Sequence, residues 1–159
     1  MKKKDKMKVP TILKVKDVDT DDRFDDIHPN LPQMPCLALL IGSVRSGKSN
    51  LLVNFFMNED FYKGKFDNVR FISNTLHTDN KGVLLAKHFD CYDHYEDSMI
   101  DGIIKEQSQY ERDDRPSYAL IADDILTQDF SKSNALSYFA TRFRHFIDFF
   151  CISTQSFRA

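Results

Sequence analysis

The sequence has no apolar run longer than six residues, Cys36 to Ile41, where a membrane-crossing helix needs about 20. No bilayer span is expected. The Lys-rich start is not followed by the apolar stretch and small-residue cleavage site of a secretory signal, so secretion is not expected either. Three cysteines, Cys36, Cys91 and Cys151, are too few and too scattered for a disulfide framework; they fit buried thiols in a reducing, intracellular setting. Five Gly and five Pro exclude collagen-like and low-complexity architecture. Charge of one sign is also missing: 22 Lys and Arg stand against 24 Asp and Glu. Any grip on nucleic acid must therefore come from a local patch or a ring of subunits.

What is present is a globular composition, 42% apolar and 29% charged over 159 residues, enough for one α/β domain with a single core. Residues 1–34 form a charged leader, with seven Lys and one Asp in 1–16, then six Asp and one Arg in 17–27. Such blocks are solvated, with a basic arm on DNA phosphates as the functional alternative. The Pro-rich stretch from His28 to Pro35 marks the boundary, and the core is expected over 35–159. Short apolar runs alternate there with helical periodicity, which predicts a mostly parallel sheet flanked by helices. Strands are expected at Leu37 to Ile41, Val69 to Ser73, Phe89 to Tyr92, Tyr118 to Ala122 and Ile147 to Ser153. Helices are expected at Lys48 to Met57, Lys81 to His88, from Asp97 or Ser98 onward with a Ser98-x-x-Asp101 capping box, and at Asn134 to Arg144.

The segment Gly42-Ser43-Val44-Arg45-Ser46-Gly47-Lys48-Ser49 matches the phosphate-binding loop G-x-x-x-x-G-K-[ST] without a mismatch, between a predicted strand and a predicted helix that continues through Asn50. Each residue type has a reason. The two glycines allow successive N–H groups to face phosphates, Lys48 brings a point charge to the β- and γ-phosphates, and Ser49 offers a hydroxyl to Mg²⁺. The strand from Tyr118 to Ala122 ends in Asp123-Asp124. Paired carboxylates at a sheet edge repel unless a cation or water separates them, so Asp123 is expected to hold the water shell of Mg²⁺ and Asp124 to polarise the attacking water. The last strand leads into Thr154-Gln155-Ser156, on the edge where open α/β sheets bind ligands. Blander readings attach to other clusters. His88, Cys91 and His94, with Asp93 and Glu96, match no standard zinc spacing. Phe139, Phe143, Phe146, Phe149 and Phe150 have the spacing of core residues, and Lys63-Gly64-Lys65 reads as solvated charge.

Four segments in order, the phosphate loop, the strand ending Asp123-Asp124, Thr141-Arg142-Phe143-Arg144-His145 and the strand ending Thr154-Gln155-Ser156, resemble the FtsK-HerA superfamily of P-loop ATPases. Within it the chain is most similar to the virion DNA-packaging ATPases of large DNA viruses, over about Pro32 to Ala159. The resemblance implies a three-layer sandwich with the sensor strand between the Walker A and Walker B strands, bringing Gln155 near the γ-phosphate. It implies ATP and Mg²⁺ as ligands, the nucleotide held by Gly42 through Asn50, and Lys48, Asp124, Gln155 and Arg144 as catalytic groups, with Arg144, and Arg142 second, acting on a neighbour's site in a homo-oligomeric ring. Double-stranded DNA and capsid or portal proteins are the implied partners, in the host cytoplasm, a virus factory or the virion. Two departures stand out: Phe143 replaces the Gly common between the two arginines, and the family continues into further strand and helix where this sequence stops at Ala159, so a shortened C-terminal end is expected. A small-molecule P-loop kinase and a non-catalytic nucleotide-binding assembly module remain the alternatives. A GTPase is disfavoured, since Asn80-Lys81 is followed by Gly82-Val83 rather than by a guanine-reading motif.

Overall fold

A computed structural model describes residues 22–76, 80–125 and 132–155. Its strands are β1 (Cys36–Ile41), β2 (Asn68–Ser73), β3 (Asp90–Tyr92), β4 (Tyr118–Asp123) and β5 (Phe149–Thr154). Its helices are α1 (Lys48–Met57), α2 (Asn80–Leu85), α3 (Asp97–Gln107) and α4 (Asn134–Arg142). The strands form one five-stranded sheet in the order β1-β5-β4-β2-β3, and every pairing is parallel. The protein is thus α/β, with helices on both faces of a parallel sheet, an arrangement compatible with a three-layer sandwich.

Successive residues of a strand point to opposite faces, and the apolar doublets of this sequence use that rule to fill two cores. Phe71, Ile121 and Phe149 pack with Leu52, Phe55 and Phe56 of α1 on one face. Their chain neighbours Ile72, Leu120 and Phe150 pack with Ile100 and Ile103 of α3 and Leu136 and Phe139 of α4 on the other. Both-sided burial is why β4 and β5 read as unbroken apolar runs. β1 differs: among the described residues only β5 pairs with it, and Leu37, Leu39 and Ile41 are 47%, 48% and 54% exposed.

Five expectations shift. The packed unit begins before Pro35, because Phe24 and Ile27 are buried in the first core and Tyr62 Oη donates to the Pro32 carbonyl at 2.9 Å. Arg23 pairs with the buried Asp148 at 3.1 Å and donates to the Arg115 carbonyl at 2.6 Å, tying this stretch to the start of β5. α2 ends at Leu85, and turns carry Ala86 to His88. The Ser98 capping box is not formed: Glu96 is the N-cap, Ser98 Oγ donates to Glu96 Oε2 at 3.1 Å, and Asp97 Oδ1 instead accepts from Ser133 Oγ at 2.6 Å. Finally, α4 stops at Arg142, and Phe143–His145 form a 3-10 turn into β5, which runs from Phe149 rather than Ile147.

Candidate functional site

Because all five strands run the same way, the residues that follow them gather at one edge of the sheet. Ile41 is in register with Thr154, Asp123 with Ser153, and Ser73 with Asp123. The Gly42 N–H donates to the Thr154 carbonyl at 3.2 Å and the Asp124 N–H to the Ser153 carbonyl at 2.9 Å. The three segments singled out in the sequence are thereby stitched together by main-chain bonds.

The Gly42–Ser49 loop turns tightly before α1. Arg45 and Gly47 hold left-handed conformations, with φ of 64° and 98°; Gly takes this at no steric cost, whereas the Arg stores roughly 1 kcal/mol of strain. Lys48 Nζ folds over the loop, donating to the Gly42 carbonyl at 2.7 Å and to the Ser43 carbonyl at 3.3 Å. Asp124 is also left-handed, φ 51°, and two side chains pin it: Gln155 Nε2 donates to its Oδ2 at 2.9 Å, and Asn74 Nδ2 to its carbonyl at 3.3 Å. Strain at two points of one edge fits a site rather than a scaffold.

Between these parts lies a cleft of about 310 Å³ lined by Val44, Arg45, Ser46, Gly47, Lys48, Ser49, Thr75, Lys81, Asp124 and Gln155. Beneath it a cavity of about 20 Å³ brings Ser49 together with Asp123, which is 8% exposed. A hydroxyl and a carboxylate are the hard oxygen donors that suit Mg²⁺, and here they lie together on a cavity otherwise lined largely by apolar residues such as Leu52, Phe71 and Leu85. The buried Asp123 charge is felt next door. Burial first, and this carboxylate second, push the Cys151 thiol up to about 12.

The structure thus brings together Val44 through Ser49, Asp124 and Gln155 in one cleft, with Asp123 just below. Asn50 is exposed on α1, its carbonyl accepting from Asn54 Nδ2 at 2.8 Å, and it does not line the cleft. Nor do Arg142 and Arg144. They precede β5, at the opposite edge of a six-residue strand, about 20 Å away by strand rise. Arg144 is exposed, and the Arg142 guanidinium sits 4.3 Å over the Tyr138 ring. Ser156 lies outside the described residues. The sequence reading missed Asn74, Thr75 and Lys81. A polar pair directly after the buried strand β2 was a usable signal for the first two; nothing in the pattern marked the third.

The other clusters stay apart from this edge. His94 lies between Asp93, 2.6 Å from its Nδ1, and Glu96, 3.2 Å from its Nε2; these contacts, Asp93 foremost, hold the imidazole above its ordinary pKa. Among the described residues no three metal-ligating side chains converge. Lys63 pairs with Glu59 at 2.9 Å and Lys65 with Asp26. Phe139, Phe149 and Phe150 are fully buried core residues. Among the described residues no helix is long and apolar enough to cross a membrane.

The fold and the site together define an α/β protein with an all-parallel sheet and a polar, cation-bearing cleft at its carboxyl edge. No family model, curated protein or solved structure matches the chain.

Proposed function

We propose that this chain is a Mg²⁺-dependent P-loop ATPase that drives translocation of double-stranded DNA, with the packaging of a viral genome into a capsid as its setting. One observation carries the reading: Lys48, Ser49, Asp124 and Gln155, from segments up to about a hundred residues apart in the chain, line a single cleft at the edge where parallel sheets bind ligands. The position of β5 between β1 and β4 supports the finer assignment, a P-loop sandwich with a sensor strand, since it puts Gln155 against the carboxylate expected to handle water.

In this reading the loop N–H groups and Lys48 bind the β- and γ-phosphates, and the start of α1 adds its dipole. Ser49 and Asp123 would hold Mg²⁺, which would neutralise phosphate charge when bound. Asp124, oriented by Gln155, accepts the proton of a water whose oxygen bonds to the γ-phosphorus as the bond to the β-phosphate oxygen breaks. That proton passes to the released phosphate. Arg144 is too far to serve its own cleft, so its role is on a neighbouring subunit in a ring that encloses DNA, with capsid or portal proteins outside it.

The test is ATPase rate with and without duplex DNA, alongside nucleotide binding. Lys48→Ala is expected to weaken Mg-ATP binding and abolish hydrolysis. Asp124→Asn should keep binding and lose at least a hundredfold in turnover. Turnover unchanged in Lys48→Ala removes the nucleotide assignment, and a rate indifferent to DNA removes the motor while leaving the ATPase.

A further inference from the structure

Beyond the loop, the cleft is also lined from just after β2 and from the start of α2. Thr75 and Lys81 line the main cleft with Lys48, Ser49, Asp124 and Gln155, and both also line the cavity beneath with Ser49 and Asp123. Their placement is set by backbone contact. A Cβ at Gly82 would lie 2.3 Å from the Leu76 carbonyl oxygen and 2.8 Å from its Cα, so only glycine lets the first turn of α2 come this close to the turn after β2. Leu76 and Leu85, 3% and 6% exposed, anchor the two sides. Lys81, the residue before that glycine, is thereby held over the cleft.

Charge shows what such a wall can do. The cleft and the cavity carry three cations, Arg45, Lys48 and Lys81, and two carboxylates, Asp123 and Asp124. Arg45 and Lys48 belong to the loop, which cradles the inner phosphates. A cation that lines both spaces from outside the loop, as Lys81 does, is available to the outermost group of a bound polyphosphate.

We propose that Lys81, with the Thr75 hydroxyl beside it, contacts the terminal phosphate, so that this cleft distinguishes a nucleoside triphosphate from a diphosphate. The inference rests on the phosphate-binding role of the Gly42–Ser49 loop and is independent of the carboxylates' roles. Its consequence is a wall that senses hydrolysis, since α2 and the turn after β2 lose a charged contact when the terminal phosphate leaves.

Titration calorimetry with Mg-ADP and with the magnesium complex of a non-hydrolysable ATP analogue tests it on the full chain. Lys81→Ala should weaken the analogue by about 10- to 100-fold, the range for a hydrogen bond to a charged group, and leave Mg-ADP within about twofold. Lys81→Arg should recover most of the loss, and Thr75→Ala should show a smaller change of the same selectivity. Lys81→Met, which keeps the apolar stem, replaces the alanine variant if the latter lowers the unfolding midpoint without nucleotide. Equal weakening of both nucleotides, or no weakening, overturns the proposal. Lys48→Ala separates the two levels of argument: if it loses both nucleotides while Lys81→Ala changes neither, the loop reading stands and the Lys81 role falls. If the unaltered chain binds neither nucleotide, both fall together.

Discussion

Asp124 shows how backbone and side chain are set for one task. Its left-handed φ of 51° turns the chain away from the sheet at the point where the carboxylate meets Gln155, and Asp and Asn are the non-glycine residues that accept this conformation most cheaply. Asp124→Val should therefore be less stable than Asp124→Asn by about 1–2 kcal/mol in urea unfolding, because the β-branched side chain adds the conformational penalty and also removes the acceptor of Gln155 Nε2. Equal stabilities would show that the turn relaxes. Gln155 tests the polar half of the pair. Gln155→Glu replaces a donor with a second carboxylate 2.9 Å from Asp124 Oδ2, and like charges at that spacing force one to stay protonated. Steady-state turnover is expected to fall further in Gln155→Glu than in Gln155→Ala, with the KM for ATP little changed in both. The opposite order would mean that Gln155 acts by filling space.

At the level of elements, the start of α4 is tied down more firmly than its short length requires. Ser133 Oγ accepts from the Leu136 N–H at 2.9 Å as N-cap and donates to Asp97 Oδ1 at 2.6 Å, with Tyr95 Oη 3.0 Å away. One buried hydroxyl thus caps α4 and joins it to the first turn of α3, which fixes how the second helical layer meets the sheet. Ser133→Ala removes the cap and leaves Asp97 short of a donor, an expected loss of about 1–2 kcal/mol. Ser137→Ala on the exposed side of the same helix is the control and should stay within about 0.5 kcal/mol. If both substitutions cost the same, helix propensity rather than the cap is being measured.

Across the whole molecule the sheet is asymmetric. Among the described residues β3 closes one side with three residues, whereas β1 presents a six-residue edge strand on which Leu37, Leu39 and Ile41 are each about half exposed, with no charge or proline along it. Edges left in water normally carry such residues, so the described chain is expected to self-associate through β1 as its concentration rises. Leu39→Lys should raise the concentration at which association appears in sedimentation velocity while changing stability by less than about 0.5 kcal/mol; unchanged association would place the contact elsewhere. The second prediction at this scale concerns Arg144, which lies at the sheet edge away from its own cleft. Mixing Arg144→Ala with Lys48→Ala subunits should restore part of the proposed ATPase activity, since each dead subunit supplies what the other lacks. An arginine acting in trans on phosphoryl transfer is worth about 10³ to 10⁵ in rate, so even a few restored interfaces are measurable. No recovery in proven mixed assemblies would count against the trans role.

The elements themselves were legible because each rests on a local signal. The phosphate-loop pattern lies where a buried run gives way to helical spacing, β4 and β5 are largely apolar runs of strand length, and β2 carries the β-branched and aromatic residues Val69, Phe71 and Ile72. The carboxyl-edge positions of Lys48, Asp123, Asp124 and Gln155 followed from the strands being parallel. Local pattern could not order the strands, because doublets such as Phe149-Phe150 fit any strand buried on both faces; the order came from the resemblance, and the pairings in the structure place β5 between β1 and β4. Tertiary contact alone decided the rest. Phe24 and Ile27 sit in a stretch whose charge suggested solvent, yet the buried Asp148 draws Arg23 in and the aromatic core closes over them. Asp97 left its expected capping role, and its Oδ1 accepts instead from Ser133, 36 residues later, and from Tyr95. Lys81 reached the cleft only because Gly82 lets α2 touch Leu76, a contact between backbones that no periodicity encodes.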